Sequence, residues 1–270
     1  MDNRRDRQAV LVVSFGTSYP ETMEQNIEVL EREIGAAMPG WALRRAFTSG
    51  MIIKKLRERD GLEIDSVPAA LRRLHVEGYD TVLIQPTHIL NGDEYDKLRA
   101  QAEEFGESFK SLSFGAPLLT LSEDYKALAA AVMTEIPAPA EDEAVVFMGH
   151  GSEHSANSAY ALFEYTLRDL GHRRAFVGTV EGYPELDEVR SRLSEHPAVR
   201  RVRLYPLMIV AGDHATNDMA SEEEDSWRSR LEAAGYEVEC VLRGLGEYAA
   251  VREIFVAHAQ AAVGETYTFS

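Results

Sequence analysis

Pro206–His214 reads PLMIVAGDH and Pro86–Glu94 reads PTHILNGDE. The two nonapeptides agree at four positions, at an offset of 120 residues, where average composition gives about half a match by chance. A second pair, VVSFGTS from Val12 and VVFMGHG from Val145, has the same passage from apolar strand to turn to helix. Duplication of one α/β unit accounts for both pairs; convergence on a common strand ending is the other reading.

Working outward, the runs at Ala9–Phe15, Thr81–Pro86, Ala144–Gly149, Arg174–Val180 and Arg201–Val210 read as short buried strands. Between them, segments of helical period fall at Thr22–Ile34, Val67–Val76, Tyr95–Phe105, Ala159–Leu170 and Pro184–Leu193. Alternating strand and helix predicts α/β architecture with parallel sheets covered by helices. IPAPAEDE, Ile136–Glu143, interrupts both periods with two prolines and acids and is the expected linker. It gives an N-terminal domain over 1–138 and a C-terminal domain over 139–270 that carries most of the candidate site residues. In open parallel sheets ligands gather beyond the carboxyl ends of the strands, so the polar residues just after each strand are the ones to follow.

The bulk numbers narrow the function. With 270 residues and 45% hydrophobic content, the chain is long enough for two modest cores. The chain has no apolar run of membrane-spanning length, and its start, MDNRRDRQAVLVVSFG, has basic residues but no cleavable hydrophobic segment, so a cytoplasmic protein without a membrane partner is expected. A net charge of −17 without a basic face argues against nucleic acid. The single cysteine, Cys240, excludes an intrachain disulfide and a thiolate-built site, and reads as a buried structural thiol. There is no Gly-Lys-Ser/Thr phosphate loop, no GxGxxG and no GxSxG, which counts against nucleotide hydrolysis, dinucleotide binding and ordinary esterase chemistry.

Strand ends in the second half carry His150 in MGHG, Glu181 in GTVEGYP and His214 in VAGDHATND. Two imidazoles and a carboxylate suit a borderline divalent ion such as cobalt, iron or zinc, and a neutral imidazole also accepts a proton. Each alone reads equally as a helix cap or turn residue; their recurrence at consecutive strand ends makes them a candidate site. His150, Glu153 and His154 also spell the HxxEH of one zinc-peptidase class, a motif that requires a helix. Gly149 and Gly151 predict a turn instead, with His154 at a cleft mouth or solvated. In the first half, His88 ends a strand and Glu94 stands where His214 stands in the second. His75, His172, His196 and His258 read as solvated.

In order along the chain, SFGTSYPET, RAFTSGMIIKKLRERDG, HILNGDEY, VVFMGHG, VEGYPE, PLMIVAGDHATNDMASEEEDSW and GLGEY resemble the CbiK-type anaerobic sirohydrochlorin cobaltochelatases of the class II chelatase group. The likeness runs from about Val10 to Ala262. It implies two similar domains, each a parallel four-stranded sheet flanked by helices, with an active-site cleft between them. It further implies nucleotide-independent insertion of Co(II) into sirohydrochlorin or precorrin-2 on the anaerobic route to cobalamin. By the same likeness, His150 and His214 are the catalytic histidines, Glu181 joins them on the metal, and the chain is of the cytoplasmic type.

Such a reaction takes a tetrapyrrole and a divalent metal as substrates and needs no prosthetic group. A polycarboxylate substrate meeting a chain of charge −17 needs local cations; Lys54 and Lys55, with Arg57, Arg44 and Arg45, are candidates, each with a plain solvated-face reading beside it. His88, Glu94 and His154 complete the expected substrate contacts. The acids of SEEEDSW, Ser221–Trp227, read as a solvated helix start or a cation-concentrating stretch. Insertion of Fe(II), and non-catalytic tetrapyrrole or metal binding, are the alternatives, and a homo-oligomer is compatible with the sequence.

Overall fold

The computed structural model of the chain describes residues 7–264. In chain order it begins with β1 (Gln8–Ser14), α1 (Pro20–Thr22), a π-helical stretch Met23–Glu28, α2 (Val29–Ala36), β2 (Ala42–Phe47), α3 (Gly50–Asp60), α4 (Val67–Val76), β3 (Thr81–Pro86), α5 (Asp93–Glu103), β4 (Ser111–Phe114) and α6 (Ser122–Glu135). There follow β5 (Glu143–Gly149), α7 (Ser158–Asp169), β6 (Ala175–Thr179), α8 (Leu186–Ser194), β7 (Arg201–Pro206), a second π-helical stretch Ala215–Met219, α9 (Trp227–Ala233), β8 (Glu237–Cys240) and α10 (Ala249–Ala261). The strands form two four-stranded sheets of identical order, β2-β1-β3-β4 and β6-β5-β7-β8, parallel throughout.

The central strands explain the layering. Val10–Val13 and Ala144–Met148 are uncharged and buried on both faces, the pattern of a parallel strand covered by helices on either side. In the first sheet, Ala9, Leu11 and Val13 face Val67, Leu71 and Leu74 of α4 and Leu98 of α5. In the second, Ala144, Val146 and Met148 pack with Leu186, Val189 and Leu193 of α8 and Trp227 of α9. On its other side, Phe147 meets Phe163 of α7 edge to face, 6.0 Å between centroids.

At the edge strand β6, the carboxylate of Glu164 on α7 accepts the Val177 amide at 2.6 Å, and Arg192 of α8 donates to the Val177 carbonyl at 3.0 Å. The two side chains pair with each other at 3.3 Å. An unpaired sheet edge invites strand addition from another chain; here one residue of that edge is closed by a partly buried ion pair.

The chain packs as two compact units, one up to Thr120 and again from Arg252, the other Leu121–Val251. This division differs from the boundary expected at 136–143, because α6 packs on α7 and the last helix returns to the first unit: Arg252 pairs with Glu33 at 2.7 Å, and His258 meets the Ala116 carbonyl through Nδ1 at 3.1 Å. His258 is thus half-buried rather than solvated. Among the described residues no helix is long and apolar enough to cross a membrane.

Candidate metal centre

The pairing of β5 with β6 runs on past both strands. Val180 N donates to Gly149 O at 3.0 Å and Glu181 N to His150 O at 2.7 Å, so the backbone itself sets His150 beside Glu181. Close packing makes glycine necessary around them. Gly151 has φ +86°, and a Cβ there would lie 2.7 Å from Thr179 Cβ and 2.8 Å from the Glu181 carbonyl carbon. A Cβ on Gly149 would lie 2.2 Å from the Tyr160 ring. Tyr160 is buried under this turn, and burial pushes its hydroxyl up to about 12 against the opposing backbone contacts of Gly151 and His150.

His214 arrives from the next strand. Beyond the ladder bond Leu207 N to Met148 O (2.8 Å), the chain leaves the sheet and enters the π-helical stretch, whose Ala215 and Met219 are fully buried in the core. His214 and Asp218, the positions just before those two anchors, are only partly buried. The His150 and His214 rings stand at 89° with centroids 4.5 Å apart. One ligand atom from each of His150, Glu181 and His214 lies within 4.8 Å of the other two.

The hydrogen bonds assign the tautomers. His150 Nδ1 lies 2.8 Å from the Gly151 carbonyl and His214 Nδ1 lies 2.7 Å from Asp218 Oδ2. A carbonyl and a carboxylate both accept, so in the neutral imidazole each Nδ1 carries the proton and each Nε2 keeps its lone pair. Two such lone pairs and a carboxylate make a three-donor set with room for further ligands, suited to a borderline divalent cation.

The same backbone frame recurs in the first unit with other side chains. Thr48 N bonds Ser14 O (2.9 Å) and Ser49 N bonds Phe15 O (3.2 Å), as Val180 and Glu181 bond Gly149 and His150. Thr87 N bonds Val13 O as Leu207 N bonds Met148 O, both at 2.8 Å. Leu118 and Leu119 bond His88 and Ile89 as Leu245 and Gly246 bond Met208 and Ile209. Phe15, Ser49 and Glu94 thus occupy the positions of His150, Glu181 and His214, and His88 that of Met208.

The remaining sequence candidates divide. Both ring nitrogens of His88 are sealed from solvent without a hydrogen-bond partner, and burial pushes the ring down to about 4, against the attraction of Glu94. Burial is the largest influence on the Glu94 carboxyl and raises it, but the hydrogen bond from Lys97 at 2.7 Å, the Lys97 charge and the neighbouring Thr48 and His88 together outweigh it and leave the group below its ordinary value. His154 caps the turn after it, its Nδ1 accepting from Ala156 N at 3.1 Å. Neither it nor His150 lies on a helix, so the HxxEH spelling has no peptidase geometry.

Lys54 and Lys55 are exposed on α3, with Lys54 3.9 Å from Glu58; they line a shallow cavity with Met51 and Arg59. Arg44 pairs with Glu77 at 3.0 Å and Arg45 with Glu28 and Glu31, so both serve the first unit's own frame. The stretch from Ser221 is a turn that closes on Ser226, whose hydroxyl caps α9 by accepting from Ser229 N at 3.1 Å. Cys240 is half-buried rather than buried, and burial pushes its thiol up to about 11. Sequence reasoning passed over Asp218 and Tyr160; the His-x-x-x-Asp spacing was the available signal for the first.

Comparison with known proteins shows the family and the fold. A family model described as cobalt chelatase (CbiK) matches residues 8–264. The sirohydrochlorin cobaltochelatase of Salmonella typhimurium is 48% identical over 252 residues, covering 93% of this chain and 95% of the relative. Sirohydrochlorin cobaltochelatase CbiKC of Nitratidesulfovibrio vulgaris is 36% identical over 260 residues, covering 95% and 91%. Among solved structures, SirB from Bacillus subtilis with Fe3+ superposes with a TM-score of 0.65 at 16% identity, over 96% of both chains. CbiX, the terminal enzyme for biosynthesis of siroheme in denitrifying bacteria, gives 0.58 at 19% identity, over 94% of this chain and 99% of its own. At these identities the last two speak for the fold alone. The chain belongs to the cobalt chelatase (CbiK) family.

Proposed function

We propose that this chain inserts Co(II) into sirohydrochlorin or precorrin-2 without nucleotide, in the anaerobic route to cobalamin, working in the cytoplasm and needing no prosthetic group. The observation that carries the reading is the convergence of His150, Glu181 and His214 on one point, in a family whose sequenced relatives bear the name sirohydrochlorin cobaltochelatase.

Insertion requires that the cation shed water, that two pyrrole protons leave, and that the ring bend toward the metal. In this reading the two Nε2 lone pairs and the Glu181 carboxylate replace part of the hydration shell and leave the remaining coordination positions for the macrocycle nitrogens. An imidazole released from the metal then has a lone pair with which to take a pyrrole proton. Lys54 and Lys55 meet the substrate carboxylates as mobile point charges. Glu94 and the Nε2 side of His154 contribute polar contacts to the ring periphery; His88, kept neutral, joins them only once its sealed nitrogens are uncovered.

Anaerobic incubation of the whole chain with sirohydrochlorin and either Co2+ or Fe2+, followed by absorbance, tests this. Cobalt insertion beyond one equivalent per chain is the expected result. Stoichiometric binding without turnover would reduce the protein to a carrier, and faster turnover with Fe2+ would reassign the metal.

A further inference from the structure

The two histidines of the candidate centre are held by unlike partners. His150 Nδ1 faces the neutral Gly151 carbonyl, which belongs to its own turn. His214 Nδ1 faces a side chain, the Asp218 carboxylate, at 2.7 Å. The Gly151 carbonyl is fixed by a glycine of positive φ packed against Thr179 and Glu181. Asp218 is fixed by its neighbour Met219, fully buried together with Ala215. In this π-helical segment the anchors stand at 215 and 219, and the ligand and its partner stand one residue earlier at 214 and 218, so one turn of helix supplies both.

We propose that Asp218 is a positioning residue for metal capture: it holds His214 as the Nδ1–H tautomer and aims Nε2 at the point shared with His150 and Glu181. This rests on the function proposed above only in taking that point to be where cobalt binds. Without Asp218, the ring is free to turn about its side-chain bonds and to place its proton on Nε2, where it blocks the lone pair. Asparagine does not replace the carboxylate here, because its amide can donate to Nδ1 and drive the proton to the ligating nitrogen. A metal-bound imidazole that loses such a partner typically loses about 10–100-fold in affinity.

An ordinary surface pair at helical spacing would predict something else. Asp218 is 42% exposed at the side chain, and its loss opens no core, so a purely structural role shows as a small change in melting temperature with unaltered cobalt affinity.

The test uses the whole chain, titrated with Co2+ by calorimetry, for wild type, Asp218→Asn, Asp218→Ala and Asp218→Glu. Expected are a rise of about 10–100-fold in the Co2+ Kd for the Asn and Ala variants, partial recovery with Glu, and unchanged melting temperatures. The KM for Co2+ should rise while that for the tetrapyrrole stays put. Long-range 1H–15N spectra of the metal-free chain should report Nδ1–H at His214 in wild type and a mixture in Asp218→Ala. In a His214→Ala background, Asp218→Asn should change Co2+ affinity no further. Wild-type affinity in Asp218→Asn, or an effect that persists without His214, overturns the proposal. A wild-type chain that binds Co2+ but never inserts it sinks the proposed activity, and leaves Asp218 to be judged by the affinity and tautomer measurements.

Discussion

The imidazole of His150 stands edge-on to that of His214, 89° between planes and 4.5 Å between centroids. Neither ring stacks on the other. Each projects a nitrogen toward Glu181, so the pair behaves as two donors converging on one cation. Replacing either histidine by alanine should reduce cobalt insertion by about 10²–10⁴-fold and weaken Co2+ binding, with an unchanged far-ultraviolet circular dichroism spectrum. Normal insertion by both variants would remove the site from the reaction.

His88 predicts a specific acid sensitivity. Its ring is neutral in the folded chain, with a pKa of about 4, below the ordinary 6.5. Between those values the unfolded chain takes up a proton that the folded chain refuses, so the stability contribution is full above pH 6.5 and drains away on acidification. By pH 4.5 the loss amounts to about 2–3 kcal/mol. His88→Met installs the residue of the matching position, Met208, and should flatten the fall in melting temperature between pH 7 and 4.5. A variant as acid-sensitive as wild type would count against a buried neutral ring.

Glu164 predicts a stability effect remote from the candidate site. Glu164→Ala leaves the Val177 amide without its acceptor and Arg192 without its carboxylate, at a cost of about 3 kcal/mol. A lower urea midpoint and faster amide exchange at Val177 are expected. Glu164→Gln, which keeps an acceptor oxygen, should lose less; equal losses in the two variants would show that the amide bond matters little.

Lys54 and Lys55 predict a change in substrate affinity without a change in stability. Lys54 is exposed and only loosely paired with Glu58 at 3.9 Å, an interaction worth well under about 1 kcal/mol. Replacing both lysines by glutamine should raise the KM for tetrapyrrole about 3–10-fold, taking under ~1 kcal/mol for each lost exposed charge contact. The Co2+ Kd should not move. An unaltered KM would take α3 out of substrate recognition.

The sequence was most informative where burial is complete. Central strands such as Ala144–Met148 announce themselves because both faces are apolar, and helix Val67–Val76 is found at the expected bounds. The missed strands β2 and β4 lie at sheet edges, as does the short strand β8. There, solvent on one side admits Arg44 and Arg45 into β2, or the alternation of Glu237 and Glu239 in β8, and dilutes the apolar signal. Strand β7 ends at Pro206 rather than Val210, because Met208 and Ile209 turn their carbonyls to Leu245 and Gly246 instead of to a strand. His150, Glu181 and His214 were legible as strand-end residues. Asp218 was legible only as the i,i+4 partner of His214; that the segment holding them is a π-helical turn is not revealed by periodicity at 3.6 residues. The compact units divide elsewhere than 136–143 because a proline-rich stretch marks a break in secondary structure, whereas α6 packs on α7 and Arg252 and His258 of α10 bond Glu33 and Ala116.

Each candidate ligand position lies past the end of a strand, His150 directly after β5, Glu181 shortly after β6 and His214 beyond β7 at the start of the π-helical stretch, on backbone tied down by amide-to-carbonyl bonds that do not depend on which side chain is present. The first unit demonstrates the point by carrying phenylalanine, serine and glutamate on the same tethers. Reactivity in this molecule is therefore written on replaceable fittings, and selection for a different ion or ring can rewrite them while the load-sharing lattice underneath goes untouched.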